Sequence, residues 1–112
     1  MREFKVYLED ILESASKIEE YTRGLDYDNF CSNTLVRDAV IRNLLVIGEA
    51  VKNLPPEIKN KCPEMEWKKI AGLRDILVHG YFTINSQILW DIITHKLPEL
   101  KASIKKISRQ IK

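Results

Sequence analysis

From Leu73 to Phe82 the chain reads Leu-Arg-Asp-Ile-Leu-Val-His-Gly-Tyr-Phe, which gathers a guanidinium, an imidazole and a phenol within one short stretch. Each group has an ordinary structural explanation. Arg74 beside Asp75 reads as a surface ion pair, His79 as a capping or packed residue near a helix end, and Tyr81 as a core-edge ring whose hydroxyl reaches water. As a set they suit the cleavage of a phosphodiester that carries a neighbouring 2′-hydroxyl. An imidazole titrating near neutrality can take the hydroxyl proton, and a second can protonate the leaving 5′-oxygen. An arginine fork stays charged and binds two oxygens of the pentacoordinate phosphate. Charge placed where the transition state develops it is worth a few kcal/mol, on the order of 3. A metal-dependent route needs clustered carboxylates, whereas here the acids are scattered, so no metal or cofactor is expected.

Helical geometry constrains how these groups meet. At 100° per residue, Arg74 and Tyr81 fall about 20° apart on a helix, whereas Arg74 and His79 lie about 140° apart. Either the helix unwinds before Gly80, or the same segment of a second copy completes the site. A two-fold axis beside this helix brings two Arg74 and two His79 side chains into one cleft.

Apolar residues recur at helical spacing almost throughout, without strand-type alternation. Phe4, Leu8, Ile11, Leu12, Ala15, Ile18 and Tyr21 mark a first helix that Gly24 stops soon after Arg23. Leu25 to Asn33 reads as a connector, with Ser32 or Asn33 as the next N-cap. A second helix over 34–54 ends at Pro55-Pro56. One of its faces carries Val36, Val40, Leu44, Ile47, Val51 and Leu54, and another Leu35, Ala39, Val46 and Ala50. A helix apolar on two sides needs burial on two sides, and another subunit is a candidate cover. Pro56 to Lys61 allows one helical turn. A third long helix runs from Glu64 or Met65 to about Val78, with Trp67, Ile70, Leu73 and Leu77 inward and Gly80 disturbing its end. A fourth, capped by Asn85 or Ser86, is expected to kink or split at Pro98. The sum is an all-α, up-and-down bundle of four main helices in one domain spanning residues 1–112.

Composition sets outer limits. With 45% hydrophobic and 30% charged residues, the chain is globular in type, and no apolar run reaches membrane-spanning length. The charged start Met1-Arg2-Glu3-Phe4-Lys5 is unlike a signal peptide, so a cytoplasmic location is expected. Cys31 and Cys62 lack metal-ligand spacing and are expected to be unpaired thiols. A net charge of +2 does not announce a nucleic acid. Lys96, Lys101, Lys105, Lys106, Arg109 and Lys112 nevertheless face only Glu99 in the last stretch. They form either a solvated face suited to the helix dipole or a surface for phosphate or a partner. In the second helix, Asn43 and Glu49 are either satisfied polar groups or supporting residues of the cleft, and Gly48 permits a close helix approach.

Arg, four residues, His, one residue, Tyr is similar to the signature of the HepT-like branch of the HEPN proteins, met here by Arg74, His79 and Tyr81. The flanks resemble the same family: Arg42-Asn43-Leu44-Leu45-Val46-Ile47-Gly48-Glu49-Ala50, then Trp67-Lys68-Lys69-Ile70-Ala71-Gly72-Leu73, then Leu97-Pro98-Glu99-Leu100. This resemblance implies a homodimeric, metal-independent endoribonuclease with catalytic Arg74 and His79 at a dimer cleft, acting as a toxin. It implies as partner an MntA-type nucleotidyltransferase antitoxin that silences the protein by attaching AMP to Tyr81. Asp75, Asn43 and Glu49 stand as supporting candidates. The competing expectation is a non-catalytic subunit that presents a binding surface to that nucleotidyltransferase.

Overall fold

In the computed structural model, residues 2–80 and 85–111 are described, with side chains for residues 4–78 and 85–111. Seven α-helices are present among them: α1 (Arg2–Thr22), α2 (Tyr27–Ser32), α3 (Thr34–Lys52), α4 (Pro56–Lys59), α5 (Trp67–Gly80), α6 (Ser86–Asp91) and α7 (Leu97–Gln110). A π-helical stretch, Ile92–Lys96, joins α6 to α7. No strand occurs among the described residues, and the architecture is the all-α, HEPN-like bundle expected.

The long helices are placed by their apolar stripes. Helix α3 packs against α1 on one side and α5 on the other, and α7 lies along α1. Ile11, Ile18, Val40, Val51, Leu77, Ile104 and Ile107 are completely buried where these faces meet. Burial of such side chains contributes roughly 1.5–3 kcal/mol each, so the interlocked stripes fix which face of α5 turns inward. Gly24 ends α1 with φ +80, a left-handed value that glycine adopts without steric cost.

Two boundaries differ from expectation for local reasons, and the disturbance expected at Pro98 is present. The connector contains α2, whose N-terminus is capped by the Asp26 carboxylate accepting from the Asn29 N–H at 2.8 Å. Six residues are too few to show a period, but Phe30 anchors them, fully buried and 5.2 Å from the Trp90 ring centroid. Helix α5 begins at Trp67 rather than Glu64 or Met65. The Trp67 indole N–H is shared between the carbonyls of Lys59 and Cys62, both at 3.0 Å, which ties the preceding turn down. The disturbance at Pro98 takes the form of the π stretch. Proline has no N–H and its ring crowds the carbonyl four residues back. Widening the preceding turn, with the Leu97 N–H bonded to the Ile92 carbonyl, accommodates it without breaking the helix.

The second apolar side of α3 is only partly covered within the chain. Ala50 is 3% exposed, whereas Leu35 is 81% and Val46 39% exposed. Asn33 supplies the α3 N-cap, accepting from the Val36 N–H at 3.0 Å, and Asn85 caps α6. Cys31 is exposed, Cys62 is buried, and neither is in a disulfide. No helix of the described residues is long and apolar enough to cross a membrane.

Candidate active site on helix α5

The position of Arg74 is set from its main chain outward. Gly48 on α3 faces the root of Arg74 so closely that a β-carbon there would lie 3.1 Å from both the Arg74 backbone N and its Cβ. It would also lie 3.3 Å from the Ile70 carbonyl oxygen. Only a glycine lets the two helices approach this far without displacement. Leu77, fully buried one turn on, fixes the rotation of α5 about its axis.

The guanidinium then lies between two carboxylates. Its Nε donates to Glu49 Oε1 on α3 at 2.8 Å, and Nη1 donates to Asp75 Oδ1 at 3.1 Å. The two contacts engage two of the five guanidinium N–H groups. Side-chain exposures of 39% for Arg74, 53% for Glu49 and 68% for Asp75 put the cluster at the surface, within reach of a large anionic ligand. Exposed ion pairs of this type contribute only ~0–1 kcal/mol to stability. Two of the supporting candidates, Glu49 and Asp75, therefore meet Arg74 directly. Asn43 does not join them: it lies about 120° from Glu49 around α3, and its side-chain amide donates to the Ala39 carbonyl one turn back at 2.9 Å. Asn53 was not foreseen. Its amide donates to the Glu49 carbonyl at 2.8 Å and to Glu49 Oε2 at 3.3 Å. The signal was its place one helical turn after Glu49, at the C-cap of α3.

Helix α5 is helical through Gly80, so it does not unwind before that residue. Positions 74 and 79 consequently lie about 140° apart around one rod, and position 79 lies about 160° around from the buried Leu77. The His79 side chain and the whole of Tyr81 lie outside the described residues. On the same outward side, Ile76 is 57% exposed. A β-carbon added at Gly72 would meet nothing within 4 Å. A cavity of about 350 Å³ lies elsewhere, between α3, α5 and α7, with Leu44, Leu73, Ile92 and Leu97 in its walls and no member of the Arg74 cluster. Among the described residues, no three His, Cys, Asp or Glu side chains converge so as to hold a metal ion. His95, in the π stretch, is tied to Asp91 at the end of α6 at 3.0 Å and is not part of this cluster.

An all-helical bundle with a surface arginine rooted at a glycine contact defines a class rather than an activity. Comparison with known proteins makes it specific. Residues 11–107 match the ribonuclease HepT-like family model, and the chain belongs to that family. A provisionally named RNase of Methanocaldococcus jannaschii is 44% identical over 110 residues, covering 98% of this chain and 91% of the relative. Another, from Caldanaerobacter subterraneus subsp. tengcongensis, is 39% identical over 112 residues and the full length of both chains. A provisionally named ribonuclease HepT of Thermococcus cleftensis is 40% identical over 108 residues, covering 96% of this chain and 98% of the relative. No solved structure matches the chain with significance.

Proposed function

We propose that the protein is a metal-independent endoribonuclease whose cleft is shared by two copies. The observation that most supports the shared cleft is the unbroken course of α5, which leaves Arg74 and His79 on divergent faces of one rod. A second copy packed on the outward face of α5, over Ile76 and Gly72, supplies the missing half. It also covers apolar surface that the single chain leaves in water.

In this reading the 2′-hydroxyl of RNA gives its proton to a neutral His79, and O2′ attacks the adjacent phosphorus. The P–O5′ bond breaks as a protonated imidazole, the partner copy's equivalent, returns a proton to O5′. The products are a 2′,3′-cyclic phosphate and a 5′-hydroxyl. Arg74 binds the non-bridging oxygens as their charge grows. Tyr81, seven residues after Arg74 in the sequence, is the target of an MntA-type nucleotidyltransferase antitoxin. AMP attached there brings phosphate that competes for the Arg74 cation and blocks the cleft. The protein thus acts in the cytoplasm as the toxin of a toxin–antitoxin pair.

The test is substitution at the two reacting residues. Arg74→Ala and His79→Ala each abolish RNA cleavage while circular dichroism and light scattering show a folded dimer. Cleavage that survives both changes removes the proposal, and absence of cleavage by unmodified wild type favours the non-catalytic binding subunit.

A further inference from the structure

The candidate site contains a second element, on α3. Glu49 joins two contacts: its Oε1 accepts from Arg74 Nε at 2.8 Å, and its Oε2 accepts from the Asn53 side-chain amide at 3.3 Å. Asn53 also holds the Glu49 carbonyl at 2.8 Å, so the amide spans both ends of the glutamate. The glutamate follows Gly48, the residue that brings α3 against the root of Arg74. Backbone contact and side-chain contact therefore converge on the same arginine from neighbouring positions.

We infer that Glu49 is a positioning residue for Arg74, and that Asn53 sets the orientation of its carboxylate. The inference rests on the ribonuclease reading above. Arginine has a long, rotamer-rich side chain, and freezing it at the moment of reaction costs conformational entropy. A carboxylate on Nε fixes the plane of the guanidinium before RNA arrives. Asp75 adds a contact on Nη1, but from the adjacent position of the same helix. Glu49 is the anchor of the two that comes from another element, so it ties the guanidinium to α3 and not merely to its own backbone. Positional errors of about 1 Å at a reacting centre cost up to about a hundredfold in rate. The ion pair is surface-exposed and adds little stability. Its effect therefore falls on turnover rather than on folding.

The carboxylate has a second, opposing effect. Its negative charge stands beside the cation that receives the phosphate, so it weakens ground-state binding of RNA while it orients the arginine. Removing it separates the two kinetic constants in a direction that mere loss of structure does not reproduce. The experiment is steady-state cleavage of a fluorescent single-stranded RNA by wild type, Glu49→Ala, Glu49→Gln and Asn53→Ala, with melting temperatures measured in parallel. Glu49→Ala lowers kcat about tenfold or more and leaves KM unchanged or reduced. Glu49→Gln, which keeps an oxygen to accept from Nε, recovers most of kcat, and Asn53→Ala falls between wild type and Glu49→Ala. Melting temperatures stay within a few degrees of wild type. A wild-type kcat in Glu49→Ala, or a Glu49→Gln as slow as Glu49→Ala, overturns the inference while the ribonuclease reading stands. Absence of cleavage by wild type removes both.

Discussion

Gly48 and Gly72 form a matched pair that tests how Arg74 is placed. Both sit inside helices, so Gly→Ala at either gains ~1 kcal/mol of helix propensity. At Gly72 the new methyl meets nothing of its own chain within 4 Å, so the gain is realised within the single chain. At Gly48 it meets the backbone N and Cβ of Arg74 at 3.1 Å and a carbonyl oxygen at 3.3 Å. None of these atoms is the end of a flexible side chain, so α5 must shift by a few tenths of an ångström. Overpacking of this kind costs ~1–3 kcal/mol. Gly48→Ala is therefore expected to range from neutral to ~2 kcal/mol destabilised, and to lie ~1–3 kcal/mol below Gly72→Ala. Urea unfolding of the two variants, with dimerisation followed by light scattering, measures that difference. For a domain of this size it corresponds to a melting-temperature gap of roughly 4–12 °C. Equal stabilisation at both positions refutes the close-approach argument. Destabilisation at Gly72 that light scattering shows to accompany loss of the dimer reports the second copy packed over that face, and the two variants are then compared as monomers.

Three further outcomes follow from the same structure. Ile76→Glu places a charge on the outward face of α5, where Ile76 is 57% exposed; it is expected to yield a folded monomer without cleavage, read by light scattering and RNA assay, and a stable active dimer counts against the shared cleft. Tyr81→Phe is expected to stay toxic on expression and to escape AMP attachment by the antitoxin, read by intact mass, and loss of toxicity gives the hydroxyl a part in RNA handling. The Glu66 carboxyl is held below its ordinary value of 4.5, first by its hydrogen bond from Lys69 and then by that ammonium's charge. A lowered folded value contributes stability that is present above pH 4.5 and is lost as pH falls further; Lys69→Met should therefore lessen the acid sensitivity of unfolding below that pH, and an unchanged acid profile contradicts the assignment.

The bundle was legible because its long helices carry repeated apolar stripes: Leu8, Ile11, Ala15 and Ile18 on α1 are all buried as their spacing implies. Gly24 and Asn33 were legible as punctuation, since each does locally what its chemistry favours. Helix α2 was hidden because a six-residue helix with one buried anchor has no period to detect. The two-sided apolar pattern of α3 was read correctly as a pattern, but Leu35 and Val46 show that sequence alone cannot distribute burial between one chain and two. At the site, Arg74 and Asp75 were visible as neighbours. Glu49 was visible only as a polar residue on an apolar helix, because its ion pair joins residues 25 positions apart on different helices. Asn53 escaped notice because its role depends on that pair existing first.

Metal-free RNA cleavage with His79 as a reacting group is what the proposed function stands on. The most direct measurement is cleavage of a fluorescent single-stranded RNA in EDTA by wild type and His79→Ala, with the product ends identified by mass. Cleavage by wild type alone is expected, leaving 2′,3′-cyclic phosphate and 5′-hydroxyl ends. Cleavage by both proteins, or by neither when the wild type is confirmed as unmodified by its mass, contradicts it.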